Sequence, residues 1–101
     1  MPDDPELRRL LWYLLGATRG GENRARIIHA LRERPGNINQ LSTRLTMEYR
    51  LVTHHMEVLV KNSVVQSSGD RYGRTYFIAP WLESHFDLFQ AITLQLKFKL
   101  D

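Results

Sequence analysis

Five side chains between positions 49 and 57 could read a hydrogen-bonding surface: Tyr49, Arg50, Thr53, His54 and Glu57. On a helix this spacing sets Arg50, Thr53, His54 and Glu57 on one side, while Val52, Met56, Leu59 and Val60 recur at the interval of an inward face. The residue types suit base edges and phosphates. An arginine fork matches guanine O6 and N7, a threonine offers a methyl to thymine or a hydroxyl to phosphate, and a glutamate accepts from cytosine N4. The Tyr49 hydroxyl can donate to a phosphate oxygen. Further along, Arg71 and Arg74 flank Tyr72 in a glycine-rich turn, where basic side chains suit phosphate or a narrow minor groove. Arg44, and behind it Arg24 or Arg26, add possible phosphate contacts. Lys61 reads as a cation at a helix C-terminus.

The elements that would position these groups are legible in order. NINQLSTRL places Ile38, Leu41 and Leu45 on one face, and Asn37 with Gln40 three residues on has the spacing of a capping box. EYRLVTHHMEVLVKN follows after a tight turn, and SVVQSSGDRYGRTYFI reads as a hairpin whose tip is Gly69-Asp70-Arg71-Tyr72-Gly73. Two short helices and a basic hairpin in this order predict a winged helix-turn-helix, an architecture whose dominant use is to set its second helix in the major groove of DNA. His54 and His55 are adjacent, about 100° apart on a helix, so they cannot share one metal. His54 is expected to face the groove and His55 to pack partly buried.

Extra helices are expected on both sides. Asp4-Pro5-Glu6 is a helix start, with a capping aspartate, a proline suited to the first turn and an acid complementing the dipole. The helix runs to about Gly16 with Leu7, Leu10, Leu11, Leu14 and Leu15 on a broad apolar face, extended by Trp12 and Tyr13. After Gly20-Gly21, ENRARIIHALRER buries Ala25, Ile27, Ile28 and Leu31 and ends at Pro35-Gly36. Pro80 opens a last helix to the C-terminus, with Leu82, Phe86, Phe89, Ile92 or Thr93, Leu96 and Leu100 on one stripe and Leu88, Leu94 and Phe98 off it. A helix apolar on two faces wants cover from a second copy. Residues 1–18 and 80–101 are therefore expected to build a homodimer interface, with Leu11, Trp12, Leu15, Phe86, Phe89 and Leu96 at its centre.

At 101 residues the chain can bury one core and no second one, so a single domain over 1–101 is expected, mainly α with a small β-hairpin. The net charge of +3 is unevenly placed: residues 19–76 carry +5 and each flank −1. A basic centre is the footprint of a polyanion partner, here double-stranded DNA. The absence of cysteine excludes disulfides and thiolate chemistry and fits a reducing cytoplasm. Acidic residues precede the first apolar run, which is far shorter than the roughly 20 residues of a membrane span, so neither a secretory signal nor a membrane partner is expected. No nucleophile motif, phosphate-cradling loop or ligand constellation appears, which argues against an enzyme, a cofactor or a metal centre.

The segment RGGENRARIIHALRERPGNINQLSTRLTMEYRLVTHHMEVLVKNSVV resembles the winged-helix domain of archaeal transcriptional regulators related to the ArsR family. The resemblance rests on the Arg-Gly-Gly start, the Asn-x-x-Gln-Leu helix, the Tyr-Arg-x-Val-x-His-His-Met recognition helix and the Leu-Val-x-Asn exit. It implies a homodimeric, sequence-specific DNA-binding regulator. Thr46 and Ser63 stand where such proteins often carry glycine, which predicts adjusted turns, because a β-branched residue tolerates positive φ poorly. The cysteine-based metal sites of that family have no counterpart here. The rival readings are a winged helix used as a protein-interaction module of a macromolecular assembly, and a sensor holding a small molecule near Trp12 or Trp81.

Overall fold

The computed structural model describes residues 4–70 and 73–100. Helix α1 spans Pro5–Trp12, and the Asp4 side chain caps it by accepting from the Leu7 amide at 3.1 Å. The chain then widens into a π-helical turn over Tyr13–Ala17. A glycine pair reverses it into α2, Gly21–Glu33. Gly20 takes φ +86°, and a Cβ on Gly21 would lie 1.9 Å from the Leu15 carbonyl oxygen, so neither position admits a side chain without rearrangement.

Helix α3 covers Ile38–Leu45, and its capping box is complete. Asn37 Oδ1 accepts from the Gln40 amide at 2.7 Å, and the Asn37 amide donates to Gln40 Oε1 at 2.8 Å. Thr46 ends α3 in the left-handed region at φ 52°, and α4 runs Tyr49–Lys61. Ser63 repeats the left-handed turn at φ 62°, held by the Trp81 indole N–H donating to its carbonyl at 2.9 Å. Both departures from glycine thus occupy the strained conformation that their positions suggested.

Strands β1, Val65–Ser68, and β2, Thr75–Ile78, pair antiparallel with Val65 opposite Ile78 and Ser68 opposite Thr75. A bridge between Gly36 and Tyr76 ties the hairpin to the entry of α3 through amide–carbonyl bonds of 3.2 and 2.8 Å. The hairpin tip is framed by Asp70, whose carboxylate accepts from the Gly73 amide at 3.0 Å. Arg71 and Tyr72 lie outside the described residues.

The expected long C-terminal helix is instead two. Helix α5 is Pro80–Glu83, α6 is Phe86–Gln95, and Lys97 at φ 61° turns the chain away. The break matters for the core. Leu11, Leu15 and Phe89 are fully buried and Phe86 nearly so, while Trp12 and Leu96 pack half-buried against the same cluster. Leu11, Leu15, Phe86 and Phe89 are core of this chain rather than free surface for a second copy, whereas Trp12 and Leu96 keep a partly exposed face. Bending at Ser84-His85 and Lys97 lets one domain cover more of the apolar excess than a straight helix would. What remains outside near these elements is Tyr13, 55% exposed, and Leu94, 79% exposed. Among the described residues no helix is long and apolar enough to cross a membrane.

Candidate nucleic-acid interface

Helix α4 carries the site, and its residues divide into three stripes. Val52, His55, Met56 and Leu59 are buried and seat the helix on the core. Tyr49, Arg50 and His54 are exposed on the opposite side, and Arg50 makes no hydrogen bond or ion pair within the described residues. The third stripe, Thr53, Glu57 and Val60, faces the hairpin. There it forms one wall of a groove of about 460 Å³, whose other wall is Ser67, Arg74 and Tyr76 and whose end is Ile38. Thr53 donates its hydroxyl to the Tyr49 carbonyl at 2.9 Å, leaving its methyl and an oxygen lone pair to the groove. Val60, expected to face inward, is 39% exposed there instead.

Much of the basic centre serves the fold. Arg44 donates to the Arg34 carbonyl at 3.0 Å and to the Ala30 carbonyl at 2.8 Å, which also accepts from the Arg34 amide at the end of α2. Arg26 donates to the Leu45 carbonyl at 2.9 Å. Arg32 pairs with Glu83 at 2.9 Å and stacks 4.3 Å above the Phe86 ring. These three, together with Arg24, have their guanidinium groups turned to the protein, so the phosphate contacts suggested for Arg24, Arg26 and Arg44 are replaced by internal bonds. Arg19, Arg34, Arg50, Lys61 and Arg74 remain exposed.

Arg24 is the residue the sequence hid best. It is only 4% exposed, and its guanidinium has no carboxylate among its partners. It donates to the Leu14 carbonyl at 2.8 Å, the Arg19 carbonyl at 3.1 Å and the Thr18 hydroxyl, and approaches His55 Nδ1 at 3.3 Å. Leu14 belongs to the π-helical turn and Arg19 to the segment after it, and one buried fork of donors bonds to both carbonyls. Burial holds the Arg24 pKa below its usual value despite the opposing influence of Tyr13. His55, 3% exposed, is pushed down to about 4, first by burial and then by Arg24 and His54. Its Nε2 is buried with no partner among the described residues. The spacing of Gly21, Arg24, Ile28 and Leu31 on α2, and of Val52, His55 and Leu59 on α4, was the available signal for both. Among the described residues no group of three His, Asp or Glu side chains converges as a metal site.

No protein-family model matches the sequence, and no curated protein does. Solved structures do match. Rv0081 of Mycobacterium tuberculosis superposes with a TM-score of 0.66 at 20% identity, over 93% of this chain and 94% of that one. HlyU of Vibrio cholerae gives 0.65 at 15% identity, over 87% and 90%. A Mycobacterium bovis domain, Mb0332, gives 0.66 at 15% identity, over 96% and 88%. That domain is described as a homodimeric winged helix-turn-helix DNA-binding domain of a possible ArsR-family regulator.

This chain has the winged helix-turn-helix fold.

In that fold α3 and α4 are the helix-turn-helix, with α4 its second helix, and β1–β2 the wing. These structures come from bacteria, and none of them supports the archaeal part of the resemblance. The winged helix brings Thr53, Glu57 and Arg74 together around one groove and sets Tyr49, Arg50 and His54 beside it.

Proposed function

We propose that the protein is a sequence-specific DNA-binding transcription regulator acting as a homodimer. The observation that carries this reading is the exposed face of α4, with Tyr49, Arg50 and His54 presented outward and the Arg50 guanidinium without a partner among the described residues, where Arg24, Arg26, Arg32 and Arg44 have one. Arg50 reads a base edge in the major groove, and His54 and Tyr49 contact bases or phosphates beside it. The groove between the recognition helix and the wing takes one strand's backbone, with Arg74, and Arg71 beyond the described residues, neutralising phosphates. Thr53 and Glu57 lie at the boundary of the two. Two copies related by a two-fold axis set their recognition helices in successive major grooves, about 34 Å apart. The second copy meets Tyr13, Gly16, Ala17 and Leu94, with the outer faces of Trp12 and Leu96. Gly16 sits directly against Trp12 and Leu96, which makes this surface continuous.

The test is fluorescence anisotropy with labelled DNA from upstream of the protein's own gene, beside a scrambled duplex, across a salt series. The expected outcome is binding to the native fragment that persists at about 150 mM salt after the scrambled duplex is lost. Arg50→Ala should weaken the native complex by about 1–3 kcal/mol and flatten the discrimination. Binding that is equal for both duplexes, or discrimination that survives Arg50→Ala, refutes the role given to α4. The alternative of a protein-interaction module draws on two observations: four basic residues of the centre are committed internally, and two acids mark α4, Glu48 at its N-cap and Glu57 on it. Absence of DNA binding even at low salt would select it.

A further inference from the structure

The groove between α4 and the wing has an apolar half that a sugar-phosphate backbone does not call for. Its apolar lining is Met56 and Val60 on α4, Tyr76 on the wing and Ile38 at the end. Met56 is core, but Val60 leaves an apolar side chain 39% exposed where a polar one would cost nothing. Beside it two cations reach the same groove from different elements, Lys61 from the end of α4 and Arg74 from the wing. Neither has a hydrogen bond or ion pair within the described residues, and Glu57 is the one carboxylate among the residues lining this groove. The lining therefore combines an apolar surface, a net positive charge and a guanidinium able to take a carboxylate through two parallel bonds.

We propose that this groove binds a small amphipathic anion, an aryl- or branched alkyl-carboxylate. Its apolar body lies over Val60 and Met56 against Tyr76, and its carboxylate sits between Lys61 and Arg74. The volume of about 460 Å³ is that of a small-molecule pocket. A ligand there occupies the same space and the same Arg74 that the proposed DNA strand uses, so it competes with DNA. This consequence rests on the DNA-binding reading, whereas the binding itself does not.

The probe is 3-phenylpropionate, with 3-phenylpropanol as its neutral counterpart and acetate as its headless one. Two-dimensional amide NMR of the full chain without DNA should show saturable shifts confined to the second half of α4, the wing and Ile38. A dissociation constant on the order of 0.1–1 mM is expected for so small a ligand. The alcohol and acetate should each bind at least about tenfold more weakly, since each keeps one half of the recognition. Val60→Gln and Arg74→Gln, both at exposed positions, should each weaken the acid at least fivefold with unchanged melting temperatures. Equal binding of acid and alcohol, shifts centred elsewhere, or insensitivity to both substitutions would overturn the proposal. Added to the protein–DNA complex, the probe should release DNA from the wild type and not from Val60→Gln. Saturable groove shifts with no DNA binding would sink the DNA reading and leave the site standing; DNA binding with no probe shifts would do the reverse.

Discussion

Acidification should destabilise this protein through His55. The ring is buried between α2 and α4, with Arg24 at 3.3 Å from Nδ1 and the His54 ring tilted by 57° at 5.4 Å between centroids. Burial and these neighbours disfavour the imidazolium and hold the folded pKa at about 4, against 6.5 for the free side chain. Because the folded value is depressed, the unfolded chain takes the proton first. The stabilisation is therefore complete above pH 6.5, declines as pH falls through 6.5 toward 4, and changes no further below. A gap of about 2.5 pH units at 1.36 kcal/mol per unit makes the total about 3 kcal/mol, with a slope close to 1.4 kcal/mol per pH unit in the middle of the window. The assay is urea unfolding at fixed protein concentration from pH 7 to 4, for the wild type and for His55→Gln, which keeps a neutral acceptor near Arg24. The stability difference between the two should shrink by about 3 kcal/mol across the window. An NMR titration of His55 should find the ring neutral at pH 5. A difference that stays constant with pH, or a His55 midpoint near 6.5, would refute the buried Arg24–His55 arrangement.

Arg24→Met keeps the aliphatic stem but strands the Leu14 and Arg19 carbonyls. Loss of these bonds, partly offset by relief of a buried charge, should cost about 2–4 kcal/mol in urea unfolding, and Arg24→Lys should recover little of it because a point charge cannot span the acceptors. Gly21→Ala should prevent folding by circular dichroism, since its Cβ collides with the Leu15 carbonyl. Gly73→Ala, with Asp70 Oδ1 3.9 Å away as its nearest contact, should stay within about 0.5 kcal/mol of the wild type. Thr46→Gly should raise the melting temperature modestly, because relief of a left-handed β-branched residue, about 1–2 kcal/mol, exceeds the entropy glycine adds to the unfolded chain. Leu94→Lys should convert the expected dimer to monomer in sedimentation equilibrium without lowering the stability of the chain, as 79% of that side chain is already in solvent.

The helix-turn-helix was legible because its signals are local. The Asn37–Gln40 capping box and the inward spacing of Val52, Met56 and Leu59 on α4 are each written within a few residues, and both formed as expected. The C-terminal element was not, because periodicity over Leu82 to Leu100 continues straight through a break. Nothing in the spacing distinguishes one long helix from two short ones that wrap the same core, and that choice decided whether Phe86 and Phe89 were surface or interior. The arginines misled for a related reason. A basic residue on a helix shows its charge in the sequence but not its partner, and the carbonyls that recruit Arg24, Arg26 and Arg44 belong to segments 10 to 19 residues away.

That diversion of charge sharpens the functional argument rather than weakening it. A basic composition alone cannot distinguish a DNA-binding face from a fold that uses guanidinium groups as backbone caps, since both give the same net charge. Once the capping arginines are set aside, three exposed cations among the described residues stand on or beside α4. Arg50 stands on the outer face of α4, while Lys61 and Arg74 border its groove. Helix α4 is meanwhile fixed from behind by His55 against Arg24, which also holds the turn between α1 and α2. Protein chemistry that moves the N-terminal segment, such as docking of a second copy on Tyr13 and Ala17, therefore acts on the same guanidinium that seats α4. Arg24→Met should consequently reduce DNA affinity by more than its population of unfolded chain accounts for. If DNA affinity tracked stability alone across Arg24→Met and an equally destabilising core change such as Leu31→Ala, the helix would be seated by general packing and the Arg24 link would carry no functional weight.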